Sequence, residues 1–260
     1  LRFAATSKRR PAWLPGFYAE WSKGPHSVSI GGERTVRDPS FNDLYWFPGG
    51  NPQLDREEGF SLESAYAWRL RRPKNLLECS ASLFHHYIKG WISWQPMAGS
   101  SFWSPVNLRE VSATGADLRV RWETHLQEHH FHATGGLSLV RSGQSQGIQL
   151  LPAQQVVYQP ITTSYLAIGY KRGSFQALWT QRYTGERNTT WDGSSTLSPY
   201  HTADLALSTA LPGKFGPLSI SCQVLNITNQ EYETIAWYPM PGRHFQIGIH
   251  LKTQKDDSKE

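Results

Sequence analysis

The residues that first suggest chemistry are four histidines, His125, His129, His130 and His132, crowded into one short stretch. Imidazole is a common metal ligand, so the cluster invites a metal site. Yet the stretch reads as a short turn between strands, and no cysteine or closely spaced carboxylate completes a ligand set. A solvated turn is the expectation. His85 and His86 are adjacent on a strand-like run, so their rings point to opposite sides and cannot share one ion. Serine is plentiful, but no strand–turn–helix elbow would hold a strained nucleophile. No glycine-rich loop precedes a helix to cradle phosphate. Asn188-Thr189-Thr190 and Asn226-Ile227-Thr228 fit the glycosylation-acceptor pattern without further support. No catalytic residue, no metal site and no cofactor is expected.

The elements that carry these residues are strands. Leu218, Ile220, Cys222 and Val224 alternate with Ser219, Ser221 and Gln223. Phe245, Ile247, Ile249 and Leu251 alternate with His244, Gln246, Gly248 and His250 in the same way. A period of two puts one set on each face of a β-strand. About eleven such strands are expected, near residues 13–22, 26–37, 58–70, 76–94, 107–123, 131–141, 157–170, 174–185, 200–211, 217–228 and 243–252. Gly135 and Gly136 are weak points in the sixth. No run approaches the ~20 apolar residues of a membrane helix.

Composition and connections narrow the class. Only 38% of residues are hydrophobic while 13% are aromatic, including 11 Trp. Few aliphatics and many aromatics suit a barrel with a polar interior and aromatic rims better than a packed core. The net charge of +5 is scattered, with no basic stripe or stacking platform for nucleic acid. Short turns (22–25, 71–75, 124–130, 171–173, 212–216) alternate with long loops (38–57, 95–106, 142–156, 186–199, 229–242). In an antiparallel meander this sorts all tight turns to one rim and all long loops to the other, as in outer-membrane barrels. The class expected is all-β, an antiparallel transmembrane β-barrel; a soluble β-sandwich has no reason to sort its loops. Cys79 and Cys222, read as small buried hydrophobes, fall on the fourth and tenth strands. That is nearly 30 Å apart at ~4.8 Å per strand, too far for a disulfide, so both thiols should be free.

Several stretches resemble a known family. Pro39-Ser40-Phe41-Asn42-Asp43-Leu44-Tyr45-Trp46, followed by Gly49-Gly50-Asn51-Pro52-Gln53-Leu54-Asp55-Arg56-Glu57, resembles a signature of TonB-dependent outer-membrane receptors. Val224-Leu225-Asn226-Ile227-Thr228-Asn229-Gln230-Glu231-Tyr232 and Pro241-Gly242-Arg243 resemble that family's closing segments. Tyr183-Thr184-Gly185-Glu186-Arg187 and Tyr232-Glu233-Thr234 look most like its cobalamin-receptor branch, with much shared by siderophore receptors. Arg56 stands where the signature usually has proline, implying a flexible approach to the third strand. Thr253 stands near the place of the usual closing aromatic residue.

The resemblance implies the C-terminal portion of such a barrel, about 11 strands of a 22-stranded one. Residues 1–252 would be barrel and 253–260 a polar tail. The chain opens at Leu1 without a signal peptide, as a mature chain or fragment would. It would reside in the bacterial outer membrane, in contact with lipid, and serve TonB-dependent uptake of cobalamin or a ferric siderophore. An N-terminal barrel half, a plug domain and, through the plug, the TonB complex would be its partners, with a small-molecule ligand. The alternative is a truncated or split barrel subunit acting as a scaffold without transport. The candidate ligand-facing residues are Tyr45, Trp46, Phe47, Trp103, Trp191, Trp237 and Tyr238, all in or beside long loops. An aromatic girdle at the membrane interface is the other reading of the same residues.

Overall fold

The computed structural model describes residues 2–6, 9–97, 99, 101–146, 149–212 and 218–251. Thr253, the tail 253–260 and most of the turn expected at 212–216 lie outside the described residues, as does the expected strand start at Pro217. Eleven strands form one meander: β1 (Gly16–Lys23), β2 (His26–Arg37), β3 (Glu57–Arg72), β4 (Asn75–Pro96), β5 (Trp103–Leu126), β6 (His129–Gln146), β7 (Thr162–Arg172), β8 (Phe175–Thr184), β9 (Tyr200–Leu211), β10 (Leu218–Leu225) and β11 (His244–Leu251). Each pairs antiparallel with its neighbours in chain order. The described tight turns are two residues long, Gly24-Pro25, Pro73-Lys74, Gln127-Glu128 and Gly173-Ser174. Gly24, Gln127 and Gly173 adopt left-handed backbone at the first turn position, which matches the twist of the strands they join.

The register turns each strand's alternation into two continuous faces. One row of partners reads Phe245, Val224, Leu205, Trp179, Ile168, Ala133, Trp122, Leu77 and Leu70 across β11 to β3, skipping no strand. A row one residue away reads Asp204, Thr180, Ala167, Thr134, Arg121, Glu78 and Arg69. The first is apolar; the second is mostly polar, and Glu78 joins Arg69 and, at 3.9 Å, Arg121 within it. Leu83 on the apolar face is 63% exposed and Ile247 75%. Apolar exposure on this scale is foreign to a soluble monomer and suits a wall whose outer solvent is lipid. On the polar face Gly115 lies under Phe84 and Gly136 under Tyr165, each with a ring carbon 2.4 Å from where a Cβ would stand. These glycines make room for inward rings and are covered by them, so Gly136 is no weak point.

Several expectations are corrected. The stretch 142–156 is not a loop: β6 continues to Gln146, and a strand at Gln149–Gln155 pairs with its end. β4 and β5 run on to Pro96 and from Trp103, leaving little of the loop expected at 95–106. Trp13 and Leu14, taken with the first strand, belong instead to a strand at Arg9–Leu14 that pairs with Arg2–Thr6. The histidines are strand residues flanking the turn. His129 shares the apolar face with Phe131 and Tyr170 and bonds the Tyr170 hydroxyl at 2.8 Å. His125, His130 and His132 stack along the polar face, rings 4.1 and 5.6 Å apart. Cys79 and Cys222 are free thiols; both lie on the apolar face, where Cys222 is exposed instead of buried.

Candidate functional site: the long-loop rim

The first long connection is built on a capping box. Ser40 caps the single helical turn α1 (Phe41–Tyr45), and Asp43 answers it. The Asp43 carboxylate accepts from the Ser40 amide at 2.9 Å, the Ser40 hydroxyl at 2.7 Å and the Trp94 indole at 2.9 Å. The Arg37 guanidinium stands 3.8 Å away. Burial opposes ionisation of Asp43, but those hydrogen bonds and Arg37 outweigh it and hold the carboxyl below its ordinary range. Beyond α1 the chain is sewn to β5. The Asn51 amide group donates to the Pro105 carbonyl at 3.1 Å, and the Asp55 N–H donates to Asn107 Oδ1 at 2.8 Å. A Cβ at Gly49 would stand 2.0 Å from the Trp103 carbonyl oxygen, so only glycine fits. Arg56 is not a flexible approach: its guanidinium bonds both Asp38 oxygens, at 3.0 and 3.2 Å.

The closing loop is held as firmly by other residues. Asn226 is 4% exposed and left-handed, a state asparagine tolerates. Its amide donates to the Gln230 carbonyl at 2.9 Å, and its Oδ1 accepts from the Gln230 N–H at 3.0 Å. Its own N–H donates to Asp204 at 2.8 Å. The buried Arg187 guanidinium lies 4.8 Å from the Tyr200 ring, which stacks on Tyr232 at 4.3 Å. Burial raises the Tyr232 phenol, with Tyr200 and Asp204 adding to it. This stack stands below a small hairpin, Glu233–Ile235 paired with Tyr238–Pro239. In the preceding loop, Asp192 is pulled down to about 2 by the Thr190 hydroxyl and the Ser194 amide and hydroxyl.

These frameworks hold up the residues expected to face ligand. Phe47 is 91% exposed and Trp237 90%; Tyr45, Trp46, Trp103 and Tyr238 are exposed, and Trp191 is half-buried. The structure brings Gly49, two residues after Phe47, against the Trp103 carbonyl. Among the described residues no ring contact joins that group to Trp191 or to Trp237. Sequence reasoning missed the hubs beneath: Asp43, Asn107, Asn226 and the Arg187–Tyr200 pair. Only Asp43 had a local signal, the Ser40-x-x-Asp43 spacing. Among the described residues no group of three or more His, Cys, Asp or Glu is arranged to hold a metal ion. The rim offers flat apolar surface on hydrogen-bonded supports.

Residues 2–227 match the family model of the TonB-dependent receptor-like β-barrel. The chain belongs to the TonB-dependent receptor family. It is 30% identical over 95 residues to the vitamin B12 transporter BtuB of Vibrio vulnificus, covering 36% of this chain and 15% of that one. To the vitamin B12 transporter BtuB of Photobacterium profundum it is 31% identical over 105 residues, 39% of this chain and 17% of that. Its fold superposes on the copper transporter OprC with a TM-score of 0.69 at 16% identity, covering 93% of this chain and 40% of that one. It superposes on the FrpB iron transporter of Neisseria meningitidis (F5-1 variant) with a TM-score of 0.67 at 16% identity, covering 92% and 39%. The chain thus spans about two fifths of the receptors whose fold it shares, and a smaller part of the curated relatives it matches. This TonB-dependent receptor segment is part of an outer-membrane β-barrel, with one face of its sheet apolar and the other mostly polar.

Proposed function

We propose that residues 1–252 are the C-terminal half of a receptor barrel importing a cobalamin-like ligand, with 253–260 a polar tail. The observation that carries the ligand class is the aromatic surface of the long-loop rim, where Phe47 and Trp237 are almost fully exposed. Four of the arginines around it are engaged, while Arg141 and Arg243 stay exposed. Arg34 is engaged by Glu58 at 2.8 Å, Arg37 by Glu57 and Arg56 by Asp38, while Arg187 is buried under Tyr200. A ferric catecholate is anionic and needs free cations, whereas a corrinoid is bulky, amide-rimmed and close to neutral. Flat exposed rings held on rigid supports bind such a ligand at low entropic cost. The similarity to two vitamin B12 transporters points the same way. Tyr45, Trp46, Phe47, Trp103, Trp191, Trp237 and Tyr238 would supply the contacts; a plug and TonB, from elsewhere in the receptor, would supply gating and energy. The test is equilibrium binding to the detergent-purified receptor. Saturable cyanocobalamin binding that weakens roughly tenfold in Phe47→Ala or Trp237→Ala supports the reading; saturable binding of a ferric catecholate alone sinks it.

The sheet edges support the half-barrel part of this reading and keep a split-subunit scaffold as its rival. Among the described residues β1 pairs only with β2, and β11 only with β10. Both run from the long-loop rim to the tight-turn rim, so joining them directly would need a parallel pair and an odd strand count. An open edge in lipid costs several kcal/mol per unpaired backbone group. The complementing segment therefore brings an odd number of strands whose two outer members run the opposite way. Cysteine cross-linking from Phe17 to Ile247 should fail within one chain; efficient linkage would mean a small self-closed barrel. A plug encoded in the same reading frame supports uptake, and its absence the scaffold.

A further inference from the structure

The last rung of the sheet on the tight-turn side carries basic groups on its polar face. The His125 N–H donates to the Lys74 carbonyl at 2.9 Å, so the ladder reaches into the β3–β4 turn. His125 pairs with His130, and His130 with Lys171. The register puts these three on the same face as Glu78 and Arg121. The His125 and His130 rings stack with centroids 4.1 Å apart. Lys74, His125 and Lys171 are exposed. Lys74 to Lys171 spans three strand spacings, roughly 14 Å in all. One rung deeper on that face, Arg71 pairs with Leu76 and Leu76 with Glu123. Arg71, Leu76, Glu123 and His125 border, with the turn itself, a hollow of about 470 Å³. Nearby charges are already matched: Arg69 with Glu78, Glu123 with Arg121, and Arg172 with Glu128 at 3.5 Å. Among the described residues no ion pair engages Arg71, Lys74 or Lys171.

We propose that Arg71, Lys74, His125 and Lys171 form a docking site for an acidic protein segment at the tight-turn mouth of the lumen. Charge complementarity sets the sign of the partner, since three unmatched cations gathered at one rim call for carboxylates. The length of the row sets its kind. A phosphate-sized anion settles at one end and leaves the other cation idle. An extended chain covers the row with about four residues. Its side chains alternate, so two carboxylates two residues apart share a face and reach both ends of the row. At one end Arg71 grips a carboxylate with paired N–H groups, and Lys171 holds the other as a point charge. Between them the stacked imidazoles give the segment a flat surface to cross. The acyl chains of a lipid have no access, because Leu70, Leu77 and Trp122 occupy the opposite face of the same strands. This inference rests on the barrel reading, in which the polar face lines the lumen, and holds whatever ligand the opposite rim takes.

The experiment titrates the detergent-purified receptor with fluorescein-labelled hexaglutamate at low salt, where charge pairing is least screened, and reads anisotropy. Labelled hexaglutamine is the neutral control. The expected result is saturable hexaglutamate binding, tighter than hexaglutamine by roughly tenfold or more. Arg71→Gln/Lys74→Gln/Lys171→Gln should abolish that preference. Lys89→Gln/Arg141→Gln/Arg243→Gln, which removes equal charge nearer the other rim, should keep it. Equal binding of the two peptides by the unaltered receptor overturns the proposal, and needs no variant to fold. Loss of preference in both triple variants reduces the effect to net charge and overturns it too. Complete displacement of hexaglutamate by millimolar inorganic phosphate would mark a small-anion site, and the assignment to a protein segment would fall.

Discussion

The two rims of this wall are made from the same strands and solve opposite problems. On the long-loop rim polar side chains turn inward on their own loops. Asp43 gathers Ser40, Trp94 and Arg37, Asn226 gathers Gln230 and Asp204, and Arg56 is held by Asp38. On the tight-turn rim the connections are two residues long, and Arg71, Arg72 and Lys74 are exposed, with no ion pair to them among the described residues. A long loop has many backbone groups to satisfy before it can hold one shape, so its charged residues are consumed as internal fasteners. A two-residue turn satisfies itself through the flanking ladder and leaves its side chains for the surroundings. Aromatic surface presented on a stiff base is the product of the first arrangement; a cationic fringe is the product of the second.

The comparison presumes that the wall between the rims spans lipid, and the largest predicted effect tests that. Leu83→Arg, on the apolar face near the middle of β4, should cost roughly 2–4 kcal/mol. Its neighbour Ser82→Arg, on the lumen side, should cost far less. Equal losses for both, measured by folding into liposomes, would remove the distinction between faces. Next in size is Asp43→Ala. It strands the Trp94 indole and the Ser40 amide, while Arg37 keeps Glu57. We expect a loss of about 2–3 kcal/mol in denaturant titration, since orphaned groups forfeit their partners outright. Lys74→Ala on the other rim should lie within about 0.5 kcal/mol of the unaltered chain by the same measurement. A Lys74 change as costly as the Asp43 change would erase the contrast between fastener and fringe.

A smaller effect follows from titration. The folded carboxyl of Asp43 lies below its ordinary 3.8. Its contribution to stability is therefore fully present above that value and is lost as pH falls through the folded value. Comparing stability at pH 6 and pH 3, Asp43→Asn should show a shallower decline than the unaltered chain; identical slopes would mean that Asp43 carries no such linkage. The smallest effect on stability is expected at the tip of the closing hairpin. Trp237→Ala should leave unfolding unchanged within about 0.5 kcal/mol because the ring is 90% exposed. A large stability loss there would show that Trp237 is a fastener and not a presented surface.

Alternation alone determined most of this architecture. A strand such as Leu77, Cys79, Ala81 and Leu83 against Glu78, Ser80 and Ser82 states its two faces without any partner, because side-chain period is a property of the backbone. The sorting of loop lengths then placed Phe47, Trp103 and Trp237 on one rim. The sequence also held a local signal for Asp43, its spacing from Ser40, which was missed. What it left open depends on residues far apart in the chain. Nothing local says that Arg187 lies over Tyr200 and Tyr200 on Tyr232, or that Asn107 meets Asp55. Nothing local says that the ladder runs on through His125, His129 and His130 to a two-residue turn, which pairing between β5, β6 and β7 decides. The strand at Gln149–Gln155 was hidden for the same reason, since its ladder comes from β6 and not from its own pattern. Local periodicity determines faces; which residues meet is decided by register, and register exists only in the assembled sheet.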